Sequence, residues 1–109
     1  MSVTLVRQKV KNESVEEAEA AVRDLFATLD RVRPAGLRYA STRVAGSSTF
    51  VILFELAEGV EDPRPGIPAH GQFLEQLKGW VDGPPVIEQL GVVASYNLFE
   101  GQREEPVAR

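Results

Sequence analysis

His70 is the single histidine of the 109-residue chain and the side chain best suited to move a proton. An unperturbed imidazole has a pKa near neutrality, so it can act as a general base or as a hydrogen-bond donor. Phe73 and Leu77 follow it at helical spacing, which places the ring on an apolar helix face. The alternative is structural, because histidine is often half-buried with its ring hydrogen-bonded to a backbone carbonyl.

Tyr96 and Asn97 carry polar groups that could stabilise a developing oxyanion by donating hydrogen bonds. We predict both residues on the last strand, where successive side chains point to opposite faces of the sheet. The alternative for Tyr96 is packing, with its hydroxyl at the rim of the fold. His70, Tyr96 and Asn97 are the candidate catalytic residues.

Five further residues are candidates for binding a flat or apolar ligand: Trp80, Phe73, Tyr39, Arg43 and Phe54. Trp80 could stack on a flat ring. Because it follows Leu77 at helical spacing, the favoured alternative is that it anchors the core or an interface. Arg43 has a structural alternative in a cross-strand pair with Glu55.

Composition excludes several classes of function. The chain has no cysteine, which rules out disulfides, thiolate catalysis and cysteine-based metal sites. Its net charge of -4, without a basic cluster, argues against nucleic acid as a partner. No secretory signal and no membrane-spanning run is visible, so we expect a cytoplasmic protein without a membrane partner.

The motifs for phosphate, dinucleotide and zinc binding are missing, as is the motif of a serine nucleophile. Acidic residues cluster around Ser14, where two or three carboxylates could suggest a metal. A helix start with a capping box between Ser14 and Glu17 explains them more simply. We therefore expect no metal and no cofactor.

The run at residues 50–56, FVILFEL, is the most informative element of the chain. In a strand, Phe50, Ile52 and Phe54 point to one face, while Val51 and Leu53 point to the other. Both faces are apolar, and the two helices of so short a chain can cover only one of them. We therefore expect a homodimer in which a second copy covers the open face.

The remaining elements complete a β-α-β-β-α-β order. Periodicity and turn signals predict helices at 12–30 and 67–81, an exposed loop at 57–66 and further strands at 3–10, 37–44 and 92–99. Residues 86–90 fit an edge segment or a helical turn equally well. The order predicts an α+β, ferredoxin-like fold with two helices on one face of a four-stranded antiparallel sheet. We expect a single domain at 1–100 and a polar tail at 101–109.

The apolar third strand, the segment Pro68-Ala69-His70, the pair Phe73-Leu74 and the helix end Gly83-Pro84-Pro85 resemble the antibiotic biosynthesis monooxygenase-like proteins, which belong to the dimeric α+β barrel superfamily. The resemblance implies a cavity between sheet and helices, and a cofactor-independent monooxygenase acting on a small aromatic or polyketide-like substrate. The alternative is a non-catalytic, small-ligand-binding or stress-associated homodimeric barrel.

The chain departs from the haem-degrading relatives of that family. Those relatives place an asparagine on the first strand and a tryptophan before the ligand histidine. Here Asn12 follows the first predicted strand, and Trp80 follows His70. The resemblance therefore favours the oxygenase branch over haem degradation.

Overall fold

The computed structural model describes residues 2–98, which form four strands, two helices and two short 3-10 turns. The strands are β1 (Ser2–Lys9), β2 (Leu37–Arg43), β3 (Thr49–Leu56) and β4 (Val86–Gly91), and the helices are α1 (Val15–Val32) and α2 (Pro68–Lys78). The 3-10 turns, Asn12–Ser14 and Arg64–Gly66, each lead into a helix. The predicted tail lies outside the described residues. None of these helices is long and apolar enough to cross a membrane.

The four strands form one antiparallel sheet in the order β2-β3-β1-β4, so the predicted ferredoxin-like fold is confirmed. Strand β3 is central, and its Ile52 lies opposite Val6 of β1 and Ser41 of β2. Phe50 of the same strand packs in the core with Ala18 of α1, which identifies the face that the helices cover. Because side chains alternate, even-numbered residues of β3 point to the helices and odd-numbered residues point to the open face.

The core joins one end of the sheet to both helices. Val10, Ala18 and Phe50 form its buried centre. Leu77 near the end of α2 and Trp80 just after it are among the partly buried residues packed against them. Burying such side chains stabilises the fold by about 1.5–3 kcal/mol each. This packing holds α1 and α2 over β3 and so defines the space between the two layers.

Helix α1 begins after Ser14, but the predicted capping box does not form. Ser14 is buried with φ -103° and ψ 0°, outside the extended region of an ordinary N-cap, and its side chain makes no capping hydrogen bond. At the other end, Arg33 takes a left-handed conformation (φ 51°), and its N–H donates to the carbonyl of Leu29. This closure directs the chain through Pro34 towards β2.

The last strand is β4, so the strand predicted at 92–99 is wrong within the described residues. Just before β4, the side-chain amide of Gln8 donates to the carbonyl of Gly83 at 3.1 Å. Pairing with β1 begins directly after Pro84-Pro85 and ends at Gly91. Every residue of β4 is exposed, so no alternation of apolar and polar residues distinguishes this strand in the sequence.

Candidate functional site

A cavity of about 50 Å³ lies between the sheet and the two helices. Apolar side chains of both layers form most of its wall, and Phe26, Phe50 and Phe73 are among them. Its polar lining comes from Gln8, Tyr39 and Ser41 on the sheet. Because a water molecule occupies about 30 Å³ in the liquid, the cavity has room for one or two waters.

Three aromatic rings form a row beside this cavity, and we call Phe26, Tyr39 and Phe54 the aromatic row. The Phe26 and Tyr39 rings lie 4.8 Å apart between centroids, and the Tyr39 and Phe54 rings meet edge to face at 6.3 Å. Phe26 and Tyr39 also line the cavity. The row therefore extends the apolar wall of the cavity towards the end of β3 that leads into residues 57–67.

Arg64 lies on top of the aromatic row. The central carbon of its guanidinium is 3.8 Å from the Phe54 ring centroid and 5.1 Å from that of Tyr39, both within the range of cation–π attraction. Asp62 holds the guanidinium from the side in a two-pronged ion pair, with Nη2 to Oδ2 at 2.7 Å and Nε to Oδ1 at 3.0 Å. Only 13% of the Arg64 side chain is exposed, so this charge lies largely out of water.

Asp62 and Arg64 stabilise each other's charged forms. Hydrogen bonds from Arg64 lower the pKa of Asp62, against the opposing effect of burial. Burial alone would lower the pKa of Arg64, but hydrogen bonding to Asp62, together with the nearby Tyr39 hydroxyl, raises it overall. Both groups are therefore charged at neutral pH, and the Arg64 guanidinium is a cation that lies against aromatic rings.

His70 lies on α2 on the same face as Phe73 and Leu77, which line the cavity, although His70 itself does not. Burial lowers its pKa, the positive charge of Arg64 lowers it further, and Asp62 partly offsets both effects. Among residues 2–98 no backbone carbonyl accepts a hydrogen bond from its ring, so the structural alternative lacks its expected contact. At neutral pH the imidazole is mainly uncharged and able to accept a proton.

Arg43 does not pair with Glu55, so that cross-strand alternative is wrong. Its guanidinium donates to the Glu19 carboxylate of α1 and to the carbonyl of Ser47. The hydrogen bond from Arg43 lowers the pKa of Glu19. Glu55 instead faces Arg38 on the open side of the sheet, with Nη1 and Oε1 3.9 Å apart. Arg43 does not line the cavity, and its contacts link the hairpin to α1.

Trp80 follows α2 and packs against the core cluster, as its structural alternative predicts. It also borders an open groove between α1 and α2, together with Phe73, on the side away from the sheet. Of the five predicted binding residues, Phe73 and Tyr39 line the cavity and Phe54 adjoins it through the aromatic row.

Tyr96 and Asn97 lie after β4 and outside the sheet. The Tyr96 residue is 88% exposed, and Asn97 has a left-handed backbone with φ 62°. Neither residue lines the cavity. Their catalytic role stays a prediction, and the structure does not bring them together with His70.

Sequence reasoning missed Arg64 and Asp62, since it treated residues 57–66 as an exposed loop. The available signal was the segment Asp62-Pro63-Arg64-Pro65, in which two prolines restrict the backbone around one arginine. An acid and a base two residues apart in such a stiff turn can pair locally. Among residues 2–98 no three histidine, aspartate or glutamate side chains come together as a metal site would require.

The fold is shared with several solved structures. A protein from Nitrosomonas europaea, provisionally named an antibiotic biosynthesis monooxygenase, matches with a TM-score of 0.66 and 20% identity over 84% of this chain and 89% of its own. A provisionally named monooxygenase of the same type from Caulobacter crescentus matches with a TM-score of 0.65 and 20% identity, over 85% of this chain and 90% of its own.

The protein PA3566 from Pseudomonas aeruginosa matches with a TM-score of 0.68 and 14% identity, over 85% of this chain and 94% of its own. No family model matches the chain, and no curated protein does. The similarity therefore lies in the fold, and it confirms at that level the resemblance seen in the sequence. This chain has the fold of the antibiotic biosynthesis monooxygenase-like proteins.

Proposed function

We propose that this protein is a cofactor-independent monooxygenase of the antibiotic-biosynthesis type, acting on a small aromatic or polyketide-like substrate between the sheet and the helices. The observation that carries the proposal is an apolar cavity bordered by aromatic rings, with a mainly neutral His70 on the helix face that lines it. The names of two structural neighbours indicate the same class of reaction for those proteins.

In the proposed reaction His70 accepts a proton from an activated CH2 group of the substrate. The Tyr39 hydroxyl donates a hydrogen bond to the oxygen of the resulting enolate. The electron-rich carbon then reduces O2 and forms a peroxide, which loses water. The CH2 group and O2 thus become a carbonyl and H2O, which balances atoms and electrons with O2 as the only oxidant. The proposal uses Tyr39 in place of the exposed Tyr96 and Asn97.

The test is the conversion of 1,8-dihydroxyanthrone to its anthraquinone in air-saturated buffer, followed by absorbance. We expect the protein to exceed the buffer rate and His70→Ala to lose about 100-fold, the lower end of what a general base contributes. Lys78→Ala, an exposed change on the same helix, serves as the matched control. Equal rates for wild type and His70→Ala would remove His70 from the mechanism.

A second candidate function is binding of a small apolar ligand without turnover. The observation that favours it is the wall of the cavity, where few side chains are polar and most are hydrocarbon. Stabilisation of the protein by 1,8-dihydroxyanthraquinone, without any oxidation of the anthrone, would select this candidate over the oxygenase.

We also propose that the protein is a homodimer through the open sheet face. Val51 and Leu53 of β3 lie on this face, and β4 adds the exposed Val86 and Leu90. A second copy would remove these apolar side chains from water. Light scattering at micromolar concentration should report twice 12.0 kDa. A monomeric mass, unchanged in Leu53→Asp, would contradict the dimer.

A further inference from the structure

The cavity is too small for the ring systems that the proposed function requires. Its volume is about 50 Å³, whereas a protein cavity of roughly 150 Å³ is needed to hold a single benzene. A flat ligand that enters this cavity must therefore also use space that a side chain fills in this structure. That side chain has to meet two conditions. It must lie against the apolar wall of the cavity, and it must belong to a segment that can move away from the sheet.

Arg64 meets the first condition. The centre of its flat guanidinium lies over the Phe54 ring, 3.8 Å from the centroid, in the position that the centre of a stacked ring would take. It also lies over Tyr39, which lines the cavity. Removal of the guanidinium would therefore open the space above Phe54, next to the Tyr39 side of the existing cavity.

The segment that carries Arg64 meets the second condition. Residues 57–67 connect β3 to α2, and their anchors lie near the two ends. At the first end the Ala57 N–H donates a hydrogen bond to the carbonyl of Gly36. The Val60 side chain also packs on Gly36, so closely that a Cβ added to Gly36 would lie 2.9 Å from the Val60 methyl groups. At the second end Ile67 is buried. Gly59, exposed with φ 79°, supplies a turn beside the first anchor.

The Asp62–Arg64 ion pair would move together with residues 57–67. Asp62 and Arg64 bond to each other, so their pairing survives when both leave the sheet. What stays behind is the aromatic row, which carries no charge. Without Asp62 a cation buried there would lack a counter-ion, and the cost of its dehydration exceeds the cation–π attraction, so the vacated site favours an uncharged, flat aromatic molecule.

We propose that the Arg64 side chain occupies the position of the ligand when no ligand is bound, and that residues 57–67 are a lid. In the closed state the guanidinium occupies the ring-binding position on Phe54 and Tyr39. In the open state the lid carries the Asp62–Arg64 pair outward, and an uncharged aromatic ring takes its place. Arg64 thereby decides which molecules enter the cavity. The proposed function supplies only the substrate class, since the contacts of Arg64 are independent of any reaction.

The test uses the neutral dye N-phenyl-1-naphthylamine, whose fluorescence rises in apolar surroundings. A ligand that binds only the open state has its apparent affinity reduced by the fraction of molecules that are open. Arg64→Ala removes the closed state, so we expect its affinity for the dye to rise about tenfold over wild type. Asp62→Ala loosens the guanidinium without removing it, and a smaller rise is expected.

Arg23→Ala is the matched control, because Arg23 is 75% exposed on α1 and pairs with Glu19 on the surface. It should leave dye affinity unchanged. Amide chemical-shift changes on dye binding should appear at Tyr39 and Phe54. If the changes instead cluster at β4, with none at Tyr39 or Phe54, the dye occupies another surface and the proposal fails.

Equal or weaker dye binding by both Arg64→Ala and Asp62→Ala would overturn the proposal, because a side chain that occupies the ligand position must compete with the dye for it. Asp62→Ala keeps the test decisive if Arg64→Ala does not fold. Failure of the oxygenase is separate from failure of the lid. If the protein does not oxidise anthrone but Arg64→Ala binds the dye more tightly, the oxygenase reaction is rejected and the lid is kept. If the protein oxidises anthrone but Arg64→Ala and Asp62→Ala do not bind the dye more tightly, the lid is rejected and the reaction is kept.

Discussion

Phe54 and Glu55 are neighbours on β3, and each lies beside an arginine on its own face of the sheet. On the helix face, Arg64 binds Asp62 through two short hydrogen bonds, and the centre of its guanidinium lies over the rings of Phe54 and Tyr39. On the open face, Arg38 lies 3.9 Å from Glu55, and its buried Nη1 has no hydrogen-bond partner among residues 2–98. The two faces therefore hold an arginine in different ways: the Arg64 side chain is 13% exposed, whereas that of Arg38 is 40% exposed.

The origin of each partner explains this difference. Asp62 and Arg64 belong to one short turn, so the backbone can adjust until both hydrogen bonds of the bidentate ion pair are formed. Arg38 and Glu55 lie directly opposite each other on paired strands, where the spacing of the sheet dictates how closely they approach. A local pair is well formed and can move as a unit, whereas a cross-strand pair is tied to the sheet.

The largest effect is expected from Arg38→Met. Glu55 is only 2% exposed, so removing the facing guanidinium leaves a carboxylate out of water with less compensation. We expect a loss of about 2–4 kcal/mol in the free energy of unfolding, measured by urea denaturation. The double change Arg38→Met with Glu55→Leu should recover much of it. A double variant as unstable as the single one would show that packing, and not charge, dominates here.

A smaller loss is expected from Arg64→Ala. Its partner Asp62 is partly exposed and can be hydrated, so the cost comes mainly from the lost contacts with Phe54 and Tyr39. We expect about 1–2 kcal/mol by urea denaturation. A loss larger than that of Arg38→Met would reverse the comparison between the two faces.

The pH dependence of stability should reveal the lowered pKa of His70. Burial and Arg64 lower the pKa of folded His70 below its ordinary value of 6.5, so the unfolded chain binds the proton more readily. The stabilising contribution is complete above that ordinary value and is lost as the pH falls from it through the folded pKa. Between pH 7.5 and 5.5, wild type should therefore lose more stability than His70→Gln. Equal losses would contradict the direction of the shift.

The smallest effect is expected from Arg7→Ala. Arg7 reaches Glu88 across β1 and β4 at 4.0 Å, but about half of each side chain is exposed. Water screens such a pair, so we expect a change within about 0.5 kcal/mol in urea denaturation. A larger loss would mean that the dimer covers this part of the open face, and dilution should then abolish the difference.

Much of the fold could be predicted because it follows from periodic burial. The alternation in residues 50–56 predicts a strand, and β3 occupies Thr49–Leu56. The apolar stripe of the first helix likewise locates α1, with an end shifted by two residues. Strand β4 could not be located in this way, because its side chains are exposed on both faces and show no burial pattern.

The site was harder to predict than the fold. His70 and Phe73 share a face of α2, as their spacing predicts, and Phe73 and Tyr39 line the cavity, whereas the roles given to these residues stay predictions. The place of Arg64 does not follow from spacing, because it depends on how residues 57–67 turn back over the sheet. That path is fixed by Val60 against Gly36 and by the burial of Ile67. Such contacts join distant parts of the chain and have no signature in local sequence.

Strand β4 also bears on solubility. It ends the sheet, so its outer backbone is a template on which another unfolded or native strand can form hydrogen bonds. Within Val86–Gly91 the one charged residue is Glu88, which shares its strand face with the apolar Val86 and Leu90 that β-aggregation favours. That carboxylate acts as a gatekeeper, since stacking of like strands would bring identical negative charges together. Neutralising Glu88, by substitution or by acid, should make this protein prone to form fibres.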